Sequence, residues 1–303
     1  MKKIVIILCM IFTLSSFMFS QKGSTGWWIF RRPQSAKPKP VTTVAAVRGD
    51  LSGVLYNPSI LATIQQREVF ILTELGLAED SFGGVLYGQP LKIAQRAGVC
   101  IGAVYYNAGE ETLYYIQDGQ EKSKDVTIQQ DILGILSYGQ RLTNNIFAGA
   151  TFKFANSNIA ETESANAYAC DIGVIFLAPV EGLVLSLAGQ NLGSSTKFIN
   201  RAEDLPMSVW CGASYFRNIT KNSYLCVGFE LPYIIKEKRT MPSVGVEYSI
   251  GQFAVNFGYR FGAEDALFHA GVGFSTAHFD LGYAFIPATY LSHTHRFTFG
   301  FRF

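Results

Sequence analysis

Charge is what this sequence has least of. Only 16% of its 303 residues are Asp, Glu, Lys or Arg, against about a quarter in an ordinary soluble domain. The 25 basic and 23 acidic side chains leave a formal charge of +2. That excludes a dedicated nucleic-acid binder, which carries a strong basic excess. Proline is sparse, with 10 residues, and neither a Gly-X-Y nor a heptad period appears, so collagen and coiled coil are out. After residue 20 no uncharged apolar run approaches the roughly 18 residues of a spanning helix. No Gly-x-Ser-x-Gly elbow, His-Glu-x-x-His pair or phosphate loop is present. The expectation is a non-enzyme with no cofactor.

Apolar bulk is plentiful instead. The chain is 49% hydrophobic and holds 24 Phe, 15 Tyr and 29 Gly. Disorder needs few aromatics and high net charge, so it is excluded as well. A greasy chain with no spanning helix and few charges points to strands.

Lys2 and Lys3 precede an apolar run from Ile4 to Leu14, followed by Ser/Phe residues up to Ser20. This has the form of a secretory signal peptide, and residues 1–20 are set aside as one. Residues 21–44 read as an extended tail, with Trp27-Trp28, five basic side chains and three prolines. The tryptophan pair reads either as an interfacial or partner anchor or as a partly buried contact. Four cysteines remain in the mature chain: Cys100, Cys170, Cys211 and Cys226. Strand parity sets Cys170 and Cys211 on one face and Cys226 on the other, so free thiols are expected.

From residue 67 the chain alternates with a period of two. Phe297, Phe299, Phe301 and Phe303 share one face of the last run, and Thr298, Gly300 and Arg302 share the other. Fourteen strands are expected, near 67–76, 80–89, 97–116, 125–139, 145–156, 166–177, 182–192, 206–216, 222–232, 242–250, 252–261, 266–275, 278–286 and 294–303. In the nine clearest, one face is apolar and uncharged. The other holds Lys153, Asp171, Glu230, Glu247, Arg260, His269, Asp280 and Arg302, with a glycine in every strand. Glycine in strands marks close backbone approach and barrel corners. The expected fold is therefore all-β: a 14-stranded antiparallel transmembrane β-barrel over 67–303, its glycine face inward and its aromatic face toward lipid. Bacterial single-chain barrels have even strand numbers, short periplasmic turns and longer outer loops. A soluble two-sheet sandwich is the competing fold.

The mixed signs of the inward charges favour a braced or plugged lumen over a one-sided selectivity ring. His293 and His295 read as a solvated loop or a weak metal pair. His278 and Asp280 share a face, with no serine beside them. No metal site is expected.

Upstream of the strands stands Arg48-Gly-Asp-Leu-Ser-Gly-Val-Leu-Tyr-Asn-Pro-Ser-Ile-Leu-Ala62. Further on come Leu187-Ala-Gly-Gln-Asn-Leu-Gly193, Leu205-Pro206 with Gly212-Ala-Ser-Tyr215, and Phe279-Asp-Leu-Gly-Tyr-Ala284. In this order the segments resemble the PorV/PorQ family of outer-membrane proteins, relatives of FadL-like barrels. The resemblance spans about 45–303. It implies that residues 45–66 fold into the barrel as a hatch, with Gly49, Asp50, Tyr56, Asn57 and Pro58 as its marker residues. The family's usual Asn-Pro-Ala-Gly reads Asn57-Pro58-Ser59-Ile60 here. A plain turn is the alternative for Asn57-Pro58. The alternating Phe297, Phe299, Phe301 and Phe303 look like the C-terminal signal for barrel assembly.

The resemblance also implies a location, the bacterial outer membrane, and a role. The role would be a component, cargo shuttle or attachment scaffold of a type IX-like secretion system, meeting its subunits and cargo with C-terminal signal domains. The other expectation is a FadL-like transporter with a hydrophobic ligand. Outer-membrane lipid is a partner in both.

Overall fold

A computed structural model describes residues 27–31, 34–37, 50–75, 80–92, 96–117, 119–196, 203–263, 267–288 and 293–303. The expected signal peptide and Gly49 lie outside these residues. Seventeen strands follow in chain order: β1 (Glu68–Leu75), β2 (Ser81–Leu91), β3 (Ala97–Asn107), β4 (Glu110–Gln117), β5 (Gln120–Thr127), β6 (Gln129–Arg141), β7 (Ile146–Ile159), β8 (Glu163–Leu177), β9 (Leu183–Ser195), β10 (Ser208–Thr220), β11 (Ser223–Ile234), β12 (Arg239–Thr240), β13 (Ser243–Ile250), β14 (Phe253–Arg260), β15 (Phe268–Ser275), β16 (Phe279–Ile286) and β17 (Thr294–Arg302).

Fourteen of them form a closed antiparallel wall. Each pairs with its sequence neighbour in the wall, and β1 pairs with β17 from Glu68 opposite Arg302 to Leu75 opposite His295. Closure leaves no sheet edge, which hydrocarbon would not tolerate. β12 is a two-residue addition to the outer end of β11.

The two faces sort as their chemistry demands. Phe253, Phe257, Val272 and Leu281 are 63%, 61%, 53% and 50% exposed and point outward. Their inward neighbours Glu247 and Asn256 are 0% and 2% exposed. An apolar exterior carried by strand after strand far exceeds the few hundred Å² that a soluble monomer shows. The exterior meets lipid, and the chain is a bacterial outer-membrane barrel. No helix among the described residues is long and apolar enough to cross a membrane. Cys100 and Cys226 are buried, Cys170 and Cys211 are exposed, and all four are free thiols.

β1 starts and β17 ends at one rim. That rim carries the short turns, such as 221–222 and 251–252, where Gly251 takes φ 59°. The opposite rim carries the long excursions at 108–128, 196–207 and 235–242. The tight-turn rim is the periplasmic one.

Two strands depart from expectation, the runs at 97–116 and 125–139, and the second is divided between the end of β5, up to Thr127, and β6, from Gln129. The run at 97–116 is not a single wall strand: β3 ends at Asn107, and β4 leaves the wall to pair with β5 alone. The Asn107 side chain accepts from the Gly109 N–H at 2.8 Å, and Gly109 takes φ 90°. That corner sends the chain out as a hairpin, so the stretch 117–124 holds its turn and the first half of β5 and is not a plain loop. Alternation continues past the corner because period two reports a strand, not its partner.

Candidate functional site

The lumen is filled by the chain's own N-terminal part. Residues Leu51–Leu55 and Pro58–Thr63 form two short 3₁₀ helices, nearly all buried. Asp50 caps the first: its Oδ1 accepts from the Ser52 N–H at 3.0 Å and the Ser52 hydroxyl at 2.6 Å. Asn57 caps the second, accepting from the Ser59 N–H at 3.1 Å, with Pro58 fixing the first helical φ. The short polar side chains explain why the chain starts a helix at each point.

The floor beneath the second helix is glycine. Gly98, Gly139, Gly149 and Gly173 stand directly opposite one another across β3, β6, β7 and β8. A methyl group on Gly139 or Gly149 would come within 2.6 Å of the Pro58 carbonyl oxygen. On Gly173 it would meet the Asn57 side chain, and on Gly98 the Leu61 carbonyl. Only a side chain of hydrogen lets backbone approach the wall this closely.

A bulge in β9 fastens this N-terminal segment. Asp171 on β8 faces two residues, Gln190 and Asn191, where the register shifts. Asn191 adopts φ 57°, which Asn tolerates. Both side chains are thereby aimed inward. The Gln190 amide donates to the Tyr56 carbonyl at 2.7 Å and the Leu55 carbonyl at 3.3 Å. The Asn191 N–H donates to Asp171 at 2.7 Å, while its side-chain oxygen accepts from Lys153 at 2.8 Å. Lys153 and Asp171 pair at 2.6 Å. The Asn57 amide donates to the Val174 carbonyl at 3.3 Å.

Residues 27–37 were expected to lie in a tail without a core. The described ones instead run down the lumen. Ile29, Phe30, Ser35 and Ala36 are buried, and so is Trp27, while Trp28 is exposed. The physical reason is that Trp27-Trp28-Ile29-Phe30 is apolar, and the barrel supplies the inner surface that an isolated tail lacks. Arg31 pairs with Glu237 of the outer rim at 2.5 Å. The Ser35 N–H donates to the Tyr56 hydroxyl at 2.7 Å, and Lys37 pairs with Asp50 at 2.9 Å. Burial opposes the Lys37 charge, yet Asp50 and Glu247 outweigh it and hold the ammonium above its ordinary range. Burial likewise works against the Asp50 carboxylate, but Lys37 and Ser52 keep its pKa below the ordinary value. Burial pushes the Tyr56 phenol up, so it stays neutral.

The lumen thus has two sides. On the side of β2, β3 and β6–β8, Trp27, Ile29 and Phe30 pack into one cluster with Phe82, Val104 and Leu133. Alanines 165, 167 and 169 of β8 leave room for them. The side of β11 and β13–β17 is polar. Arg302 bridges Glu68, at 3.4 Å, and Asp280. Arg296 pairs with Glu74 at 2.6 Å and donates to the Ser35 carbonyl at 3.2 Å. His269 Nε2 sits 2.7 Å from the Ala36 carbonyl, Glu230 is buried, and Arg260 lines the same side. A cavity of about 440 Å³ near the periplasmic rim lies among Lys37, Asp50, Glu68, Glu247, Asp280 and Arg302.

The seven charged side chains and the one histidine read from parity sit in several groups. Lys153 and Asp171 sit at the bulge; Asp280 and Arg302 pair at the periplasmic end. Phe297 is exposed on the outer face of β17, and Phe303 is exposed just beyond the strand's end. Arg296, Glu68 and Glu74 were missed. Arg296 has the parity of Arg302, which was a usable signal; β1 alternates too loosely to expose its two glutamates. Lys37 gave no signal, since its partner Asp50 is contributed by a separate segment. His293 accepts from the Ala288 N–H at 3.2 Å, and His295 meets the Tyr283 hydroxyl at 2.9 Å. Among the described residues no cluster of three metal-ligating side chains occurs.

No family model matches the sequence, and no curated protein matches it. Solved structures do resemble the fold. The Pseudomonas putida toluene transporter TodX aligns with a TM-score of 0.54 at 10% identity, covering 94% of this chain and 98% of that one. CymD, a monoaromatic hydrocarbon channel, gives 0.54 at 9% identity over 88% and 97% of the two chains. A Pseudomonas aeruginosa FadL homologue gives 0.54 at 10% identity over 95% and 99%. The fold is that of FadL-like outer-membrane barrels.

Proposed function

We propose that this protein is a non-enzymatic transporter that admits small hydrophobic molecules across the outer membrane, with residues 27–37 as a plug occupying the ligand's place. One observation carries the reading. The apolar side of the lumen is a chamber shaped around aromatic side chains, and its occupants Trp27, Ile29 and Phe30 belong to a segment outside the wall. A chamber that accepts an indole and a phenyl ring has the size and polarity for a small aromatic hydrocarbon. That two structures of this fold are described as a toluene transporter and a monoaromatic hydrocarbon channel agrees with this choice of ligand.

The test is uptake of radiolabelled toluene into proteoliposomes. The native protein should accelerate entry over protein-free vesicles. Replacing Trp27, Ile29 and Phe30 together with alanine should accelerate it several-fold further. Equal rates with and without the protein would overturn the reading.

A second reading, the secretion scaffold implied by the PorV/PorQ resemblance, draws on the hairpin β4–β5. It stands outside the wall with Leu113, Tyr114 and Ile116 at 54%, 67% and 80% exposure. Apolar side chains beyond the lipid belt fit a protein partner. Photocrosslinking from Tyr114 in intact cells would capture a secreted protein if this reading holds.

A further inference from the structure

The periplasmic cavity on the polar side of the lumen has no part in hydrophobic passage, and its chemistry points to a different ligand. Four carboxylates line it, from Asp50, Glu68, Glu247 and Asp280, against two cations, Lys37 and Arg302. Both cations are already engaged: Lys37 with Asp50, and Arg302 with Glu68 and Asp280. The surplus is negative, and it falls on Glu247.

Glu247 is fully buried. Its Oε1 accepts from the Tyr224 hydroxyl at 2.5 Å, while its Oε2 has no hydrogen-bond partner. Directly across the β13–β14 register stands Asn256, whose buried Oδ1 also lacks a partner. Two orphan acceptors, one charged, therefore face the same space from adjacent strands. An unpaired buried acceptor is costly, and a buried charge more so. The two cations are shared, since Lys37 pairs with Asp50 while also feeling Glu247 and Arg302 holds Glu68 and Asp280, so four carboxylates still face two cations. Water alone leaves the surplus of carboxylates over cations uncompensated. An anion is excluded by the surplus sign. A divalent metal needs three or more converging ligands, and no such cluster occurs among the described residues.

We propose that this cavity binds a small organic cation bearing several N–H donors, a guanidinium or a primary ammonium group, with Glu247 as its counterion and Asn256 as a neutral acceptor. A guanidinium carries its N–H donors in a planar fork and can offer one to each acceptor, which a compact alkali ion cannot. About 440 Å³ is enough for a ligand of several heavy atoms. The site is independent of the apolar chamber and stands or falls without it.

The test uses the full mature protein purified in detergent and methylguanidinium chloride as the probe, read by saturation-transfer NMR. Binding is expected for the native protein, and sodium acetate should give no signal. Glu247→Gln keeps the shape and removes the charge, and it should weaken methylguanidinium binding by roughly tenfold or more. A second variant fills the cavity without touching the acceptors. A methyl group on Gly273 would meet only ordinary contacts, at 3.6 Å from Ala254 and 3.7 Å from the Leu281 carbonyl. Gly273→Val should therefore fold and also weaken binding. Heat-modifiable gel mobility reports that each variant is folded. The proposal is overturned if native protein gives no signal, if both variants bind as tightly as native protein, or if potassium chloride at equal concentration displaces the probe.

Discussion

A single methyl group at position 149 decides whether the hatch can seat. Pro58 and Ser59 backbone atoms lie where that methyl would go, within 2.6 Å. Backbone cannot yield as a long side chain does, so the hatch or the wall has to shift. Gly149→Val should destabilise the barrel by about 1–3 kcal/mol, as overpacking does. Gly134→Val is the control, since its new carbon would meet only the Phe154 carbonyl at 3.7 Å. Guanidinium unfolding followed by tryptophan fluorescence separates the two; equal midpoints would show that the hatch seats elsewhere. At this scale the sequence was partly readable. Alternation put Gly149 and Gly173 on the inner face, and the Asp50 and Asn57 caps follow from residue type. The four-glycine floor was not readable, because it depends on the registers of four strands. Nor was the pairing of Lys37 with Asp50, which only the folded lumen brings together.

The strands were legible because each obeys a local rule. Outward positions meet one solvent along their whole length, so period two survives in every wall strand from β7 onward except β9, where the bulge at Gln190 and Asn191 breaks it. The hairpin β4–β5 escaped because both faces of β4 see water beyond the membrane. Nothing there distinguishes a strand that stays in the wall from one that leaves it. The lipid-facing rule itself can be tested on β14. Phe257 lies near its middle and is 61% exposed. Phe257→Lys places a charge in the hydrocarbon band and should cost about 2–4 kcal/mol of folding stability in lipid vesicles. Urea-driven unfolding from liposomes measures it. A cost near zero would mean that this face does not meet hydrocarbon, which is the outcome a soluble sandwich requires.

At the level of the whole molecule, the N-terminal segments meet the wall through the apolar cluster around Trp27, Ile29 and Phe30 and through polar ties at a few points. The wall closes through antiparallel ladders from β1 round to β17. The segment at 27–37 is tied at its periplasmic end by Lys37 to Asp50, at 2.9 Å, and so to the segment at 50–63 that is seated on the wall. The protonation states of that pair set when the tie holds. Asp50 titrates below its ordinary 3.8 in the folded protein, so its contribution is present above 3.8 and is lost as pH falls through the lower folded value. Lys37 titrates above its ordinary 10.5, so its contribution is present below 10.5 and is lost only as pH rises past the higher folded value. The tie therefore holds across the whole interval between 3.8 and 10.5. Conductance through single barrels in planar bilayers should stay low and flat within that window and step upward below 3.8, while the gel mobility of the folded wall stays unchanged. Asp50→Asn removes the charge at every pH, so it should conduct more at neutral pH and lose the acid step. If that variant keeps both the low neutral conductance and the acid step, the plug is held by some other contact, and Arg31 with Glu237 is the next pair to break.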